Sequence, residues 1–476
     1  MKNIKSFSAR SPYFSRFSHL GKEFIWISIG EAVAVIASLI GLRLFTNYLS
    51  PAVFGEVALI MTLATLVNQL LFGPLAGAVL RFLAPAHEAG AVRAYLDASR
   101  HLAQVVTLVV VALTAVFTFI LLVLGRSSWV FFLITAVLYA LLTGYNLILN
   151  GMQNALRQRK VVAWHTAIGQ WLQVIFVLAA IFYFGATSYA VMLGYLVAAA
   201  CILPSQFYFF RRKVLGLTQE EAPTTTQATD ALLWQGKMKT YALPFMGWGA
   251  FSWAQMSSDR WALQVTGSTS EVGYFAILYR LGYYPISLLT NLVVQLLTPV
   301  LFQKAGDASN RQRMAATYRA NQMLVMISLG TTAVAVLAAY LLHNLIFSLF
   351  VAPEYGIISW LLPWMVLAGG LFATGQIATI GVLSESETRS LLAPKIVTAV
   401  LGTLLNFVAA YYWGLAGVVG AIVFAAAVYM VWIVLLGRQR QKERPSSSAD
   451  EQSVETAFLD ESLMLEEQTD FNEPIH

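Results

Sequence analysis

About twelve apolar runs of about 20 to 28 residues leave this chain few folds to choose from. Each is long enough to cross about 30 Å of hydrocarbon at about 1.5 Å of rise per residue. They predict helices over 24–45, 56–80, 102–124, 129–151, 161–184, 187–210, 240–265, 272–302, 321–343, 357–383, 391–413 and 415–437. The fold class expected is therefore an all-α integral membrane protein. Hydrophobic residues make up 58% of the 476 positions and charged residues 11%, with a mean hydropathy of +0.67, which excludes a soluble globule. The first 23 residues are polar and basic and lead directly into a full-length span, so no cleavable signal peptide is expected. Cys201 is the one cysteine and lies in a span, where it reads as a small buried apolar residue, with no disulfide framework or redox motif.

Lys and Arg set the orientation. Of the 30, 26 fall in the segments on one side of these spans, Arg126 is alone on the other, and Arg43, Arg260 and Arg280 lie within spans. The positive-inside rule then puts both termini in the cytoplasm, consistent with an even number of crossings. The same rule accounts for the isoelectric point near 9.2, so nucleic acid is not an expected partner. The basic inner rim is expected to attract anionic lipid headgroups. Residues 445–476 carry nine acids and no Lys or Arg, and read as a disordered acidic tail.

The longest internal polar stretch, 211–239, divides the spans six and six. The expected organisation is a basic amino terminus (1–23), a first lobe (24–210), a cytoplasmic linker (211–239), a second lobe (240–437) and the tail (438–476). Each lobe's first span is followed by a similar passage, one around Gly55 and Ala58 and the other, 218 residues on, around Gly273 and Ala276. With an even number of spans per half, duplication yields parallel repeats about an axis along the membrane normal, with a substrate cleft between them. Outer loops are short and cytoplasmic loops too small for a nucleotide-binding domain. No P-loop, His-Glu-x-x-His, Asp-x-Asp or Cys-x-x-Cys motif occurs, so no cofactor or metal is expected and catalysis is the weaker class of reading.

Four passages carry a family resemblance: Tyr48-Leu-Ser-Pro-Ala-Val-Phe-Gly55, the later Gly77 and Arg81, Asp259-Arg with Val272-Gly-Tyr-Phe, and Phe350-Val-Ala-Pro-Glu-Tyr355. The chain resembles the oligosaccharide or polysaccharide flippases of the Wzx type, in the superfamily that also holds multidrug and toxin extruders and lipid II flippases. The resemblance implies two six-helix lobes around a cavity that opens alternately to either face of a bacterial cytoplasmic membrane. It also implies an undecaprenyl-diphosphate-linked oligosaccharide as cargo, with polysaccharide-assembly proteins as partners. A cation-coupled multidrug exporter of the same fold is the alternative. A membrane-embedded glycosyltransferase or polymerase would need an acid at a loop mouth, for which only Glu354 presents itself.

Ionisable groups inside spans are costly and point to function. Arg280, Tyr284, Ser287, Asn291, Gln295 and Thr298 fall within about 80° of one helix face at about 100° per residue, a stripe that either lines a cavity or bonds another helix. Pro285 within it is expected to kink the span. Trp248, Ser252, Gln255 and Asp259 share a face of the seventh span, while Arg260 points about 100° away from Asp259. Arg43 either snorkels to the outer interface or joins Arg260 and Arg280 in gripping phosphate, for which guanidinium forks are suited. Glu31 and Asp259 are the candidate proton or cation coupling groups. Gln69, Asn146, Asn150, Gln170 and Gln173 are candidates to bond sugar hydroxyls or neighbouring helices. Aromatic residues at the outer ends, such as Trp360, Trp364 and Tyr183, read as an interfacial belt.

Overall fold

A computed structural model describes residues 12–219, 227–305, 311–384 and 389–443; of the expected tail, 438–443 is helix and the acidic part, 445–476, lies outside these residues. The order is α1 (Pro12–Tyr48), α2 (Pro51–Val67), a π-helical segment (Asn68–Phe72), α3 (Gly73–Glu88), α4 (Val92–Val123), α5 (Ser127–Ala155), α6 (Arg159–Phe184) and α7 (Ser188–Gln219). The second half has α8 (Gln227–Thr266), α9 (Thr269–Leu278), a second π segment (Tyr279–Tyr283), α10 (Tyr284–Ala305), α11 (Arg311–Phe350), a 3-10 turn (Pro353–Leu361), α12 (Leu362–Leu383), a 3-10 turn (Arg389–Leu391) and α13 (Leu392–Glu443). No strand occurs among the described residues.

Ten described segments are long and apolar enough to cross a membrane. One of them, Leu392–Gln441, is two crossings: Gly414 leaves the helical region at φ 55° and ψ −139°, and a Cβ on Gly402 would touch that of Ala425 at 3.4 Å, so the chain folds back. Only glycine adopts such a backbone without steric cost. Helix α8 is long enough to cross but is not among the ten: the 19 residues between Lys239 and Asp259 carry no charge, yet Tyr241, Pro244, Trp248, Trp253 and Gln255 with the glycines and serines keep the stretch less apolar.

Helix α8 also corrects the expected linker. It begins at Gln227, and α7 runs on to Gln219, so most of 211–239 is helix. Trp234 and Met238 are buried in a first-lobe core with Phe72, Tyr95, Ala98 and Phe210. The Trp234 ring meets Tyr95 edge-on at 6.4 Å. Apolar side chains that the polar composition of the stretch concealed thus bind α8 to the opposite lobe. Cys201 departs from expectation as well, since it is exposed on α7 rather than buried.

The lobes meet at a reciprocal contact of α2 with α9. A Cβ on Gly55 would lie 1.9 Å from the carbonyl oxygen of Thr269, and one on Gly273 would lie 1.9 Å from that of Pro51. Gly55 and Gly273 are 218 residues apart in sequence, and so are Pro51 and Thr269, as a two-fold relation between repeats requires. Around this point the passages 48–55, 272–275 and 350–355 of the family resemblance converge, whereas Gly77 lies apart, on α3 beside Tyr241. The Tyr355 hydroxyl donates to Leu49 O at 2.7 Å and packs edge-on against Phe54 and Tyr274. The Ala352 N–H donates to Thr46 Oγ1 at 3.1 Å. Trp253 and Trp261 of α8 donate to Thr62 O and Thr62 Oγ1 of α2 at 2.7 and 3.0 Å. Those motifs build the seam between lobes.

A shared irregularity follows. The Gly73 N–H reaches back five residues to Asn68 O, and the Tyr284 N–H reaches back five to Tyr279 O. The next residue is proline in each case, Pro74 and Pro285, which has no N–H for the usual bond four residues back. The expected kink at Pro285 is thus a π turn, a device frequent at functional sites.

Candidate functional site

A cavity of about 670 Å³ opens between α8, the α9–α10 helix, α12 and the α13 hairpin, with Glu31 of α1 on its first-lobe side. Its polar lining includes Ser252, Gln255 and Asp259 from α8, and Tyr279, Tyr283, Tyr284, Ser287, Thr290 and Asn291 from the second π segment and α10. Gln376, Thr398, Asn406, Tyr429 and Lys395 complete it. A second, more open groove of about 440 Å³ runs between α3 and α8, from Gly73, Pro74 and Gly77 to Tyr241, Phe245 and Gly249. Trp248, Ser252 and Met256 line both spaces.

Of the residues singled out in the sequence, Tyr284, Asn291, Gln255, Glu31 and Asp259 line the cavity. Gln69 lies on the groove, where its amide donates toward Met256 Sδ at 3.9 Å. The Gln295 side chain falls outside the described residues. The three arginines are not among the lining residues. Arg43 donates to the backbone carbonyls of Ser348 and Val351 at the end of α11, capping that helix. Arg260 bonds Met256 O at 2.9 Å and forms an ion pair with Asp259 at 3.1 Å, despite their separation on the helix. Its guanidinium lies 4.9 Å from the Tyr279 ring centroid and 5.3 Å from that of Phe275.

Arg280 bonds Ser38 Oγ of α1 at 2.7 Å and 3.2 Å through two nitrogens, and Tyr195 of α7 stands within its hydrogen-bonding reach. The π turn explains the displacement. One extra residue in a turn rotates everything upstream by about 100° about the axis, so Arg280 leaves the face of Ser287 and Asn291 while Tyr279 and Tyr283 join it. Those tyrosines stack with centroids 5.0 Å apart and continue through Phe372 to Tyr429 as an aromatic wall. Thr298, at the far end of the stripe, bonds its own helix at Val294 O.

Of the first-lobe amides, Asn150 bonds another helix and Asn146 bonds Asn150 of its own. Gln206 of α7 donates to Asn150 and Gln153 of α5, and Asn150 donates to Asn146. His165 and His343 bond Ser205 and Ser359. Among the described residues no three His, Cys, Asp or Glu side chains are placed to hold a metal ion. Lys395, counted in the sequence with the basic inner rim, lies in the first turn of α13 with its Nζ 5.2 Å from the Trp248 ring centroid. Pro394 before it signals a helix start, but nothing local reveals that the turn faces a cavity.

No curated protein sequence matches the chain. Its structure is similar to "Lipid II flippase MurJ, inward closed conformation", with a TM-score of 0.62, 13% identity and 87% of each chain covered. It is similar also to an inward-facing multidrug resistance MATE family transporter of the MOP superfamily, with a TM-score of 0.57, 17% identity, and 90% of this chain and 94% of that one covered. At these identities the likeness is one of fold. The profile of the family described as polysaccharide biosynthesis protein matches residues 20–304. That span takes in the seam motifs of both repeats, both π turns and α8. The chain, a multi-pass membrane protein of the flippase and transporter fold, therefore belongs to the polysaccharide biosynthesis protein family.

Proposed function

We propose that this protein moves an undecaprenyl-diphosphate-linked oligosaccharide from the cytoplasmic to the outer leaflet of a bacterial cytoplasmic membrane by alternating access. The observation that carries the reading is the junction, at Trp248, Ser252 and Met256, of a cavity whose apolar wall is set with hydroxyls, amides and carboxylates and a groove with few polar groups. A lipid-linked glycan has the same division, a polar head that cannot stay in hydrocarbon and a tail that gains nothing by leaving it. Membership of the polysaccharide biosynthesis family supports the cargo class.

A second reading, a cation-coupled exporter of amphipathic drugs, draws on Glu31 and Asp259, two carboxylates in the cavity lining. Proteoliposomes separate the two. The unmodified protein is expected to expose a fluorescent lipid-linked glycan to an external lectin, and Glu31→Gln to lose the response to an imposed proton gradient at equal protein content. Uptake of a cationic dye without glycan translocation would replace the first reading by the second.

The orientation belongs to the same proposal. With the exposed Cys201 replaced by serine, a cysteine introduced at the exposed Lys239 is expected to react with an impermeant maleimide only after the cytoplasmic face is opened. Labelling of intact cells at this position would invert the topology and the proposed direction of transport.

A further inference from the structure

The three intramembrane arginines are engaged elsewhere: Arg43 with the carbonyl end of α11, Arg260 with Asp259 and two aromatic rings, Arg280 with Ser38. Among the cavity-lining residues the one cation is Lys395. No carboxylate among the described residues pairs with it, and its Nζ stands over the face of Trp248. Trp248 belongs both to the cavity and to the groove between α3 and α8. Lys395 therefore stands where the two spaces join. In a lipid-linked oligosaccharide, the diphosphate is the chemical link between apolar chain and sugars. If the glycan occupies the cavity and the chain the groove, the anion has to lie at their junction.

We propose that Lys395, seated on Trp248, binds the diphosphate of the cargo. This deepens the flippase reading and rests on it. A lysine ammonium is a compact charge on a flexible stem and meets phosphate as a point cation, without the geometric demands of a guanidinium fork. The aromatic face beneath holds the ammonium without neutralising it, as a carboxylate would. An anionic bilayer lipid presents the same chemistry, so the test has to distinguish the two sources.

Binding of undecaprenyl diphosphate, undecaprenol and phosphatidylglycerol to the full chain in nanodiscs provides it. The unmodified protein is expected to prefer the diphosphate over the alcohol by about tenfold or more, the worth of a charged hydrogen-bonding partner in a partly desolvated site. Lys395→Gln should erase that preference while leaving affinity for the alcohol, Lys395→Arg should retain most of it, and Trp248→Leu should weaken it. In the unmodified protein, bound diphosphate should also shield Lys395 from reductive methylation, a measurement independent of whether any variant folds. A preference that survives Lys395→Gln, or methylation that ignores the ligand, overturns the assignment and leaves the flippase reading standing. Displacement by phosphatidylglycerol at equal concentration overturns it in favour of a bilayer-lipid site. Absence of any diphosphate preference in the unmodified protein removes both the assignment and the reading it rests on.

Discussion

Leucine at Gly55 or at Gly273 is expected to abolish transport and to lower the unfolding temperature, each to a similar degree. The atom met by a Cβ at either position is a backbone carbonyl oxygen 1.9 Å away, so no side chain can swing aside to make room. To restore ordinary contact at 3.4 Å or more, α2 and α9 must part by roughly 1.5 Å, forfeiting much of the dispersion energy along their seam. Overpacking costs about 1–3 kcal/mol in ordinary cores, and the absence of a movable side chain places this case at or above the upper end. Nearby bonds would suffer with it, including Tyr355 to Leu49 O and Trp261 to Thr62 Oγ1. Gly330 of α11 is the control, because nothing lies within 4 Å of its Cβ position. Thermal unfolding in detergent and the lectin assay check the result. Full activity and an unchanged midpoint in Gly55→Leu would mean that the lobes do not approach as closely as described.

Arg280→Ala is expected to reduce translocation by roughly tenfold to over a hundredfold, from the loss of charged hydrogen bonds worth about 1.5–3 kcal/mol. Arg280 joins the second lobe to the first, through Ser38 of α1 and beside Tyr195 of α7. Its guanidinium reaches Ser38 Oγ with two nitrogens, so Arg280→Lys, which keeps the charge but not the fork, should recover only part of the activity. Ser38→Ala then supplies a discriminating measurement. If the interlobe bond is what matters, the double variant should be little worse than Arg280→Ala alone; an additive loss would show the two residues acting independently. Wild-type transport by Arg280→Ala at matched membrane abundance would end any role for the arginine in the transport cycle.

Much of the architecture was legible because the information is local. Hydropathy is a sum over neighbours, so a run long enough to span is recognisable wherever it falls, and the break at Gly414 coincides with the predicted boundary between 391–413 and 415–437. The pairing of Gly55 with Gly273 was visible as a repeat, and Pro285 as an irregularity. Helix α8 was read too short because Trp234 and Met238 sit among charged and polar neighbours, and only their burial against the first lobe shows that the helix continues.

The site was legible in part for a different reason. Tyr284, Ser287 and Asn291 share a face whether or not a π turn precedes them, so helical periodicity found them; Arg280 lies beyond that turn, and one added residue moved it from the cavity to Ser38. Lys395 and Trp248 come from helices some 150 residues apart and become a pair only when α13 packs on α8. By itself the sequence determined the helical membrane fold and the recurrence of the Gly55 passage at Gly273, because these depend on composition and spacing along one segment at a time. The tertiary structure alone decided which charges face the cavity and which are spent on carbonyls, carboxylates and hydroxyls of other helices. A helix turns by about 100° per residue, so the direction of a side chain depends on every irregularity between it and the next packed surface.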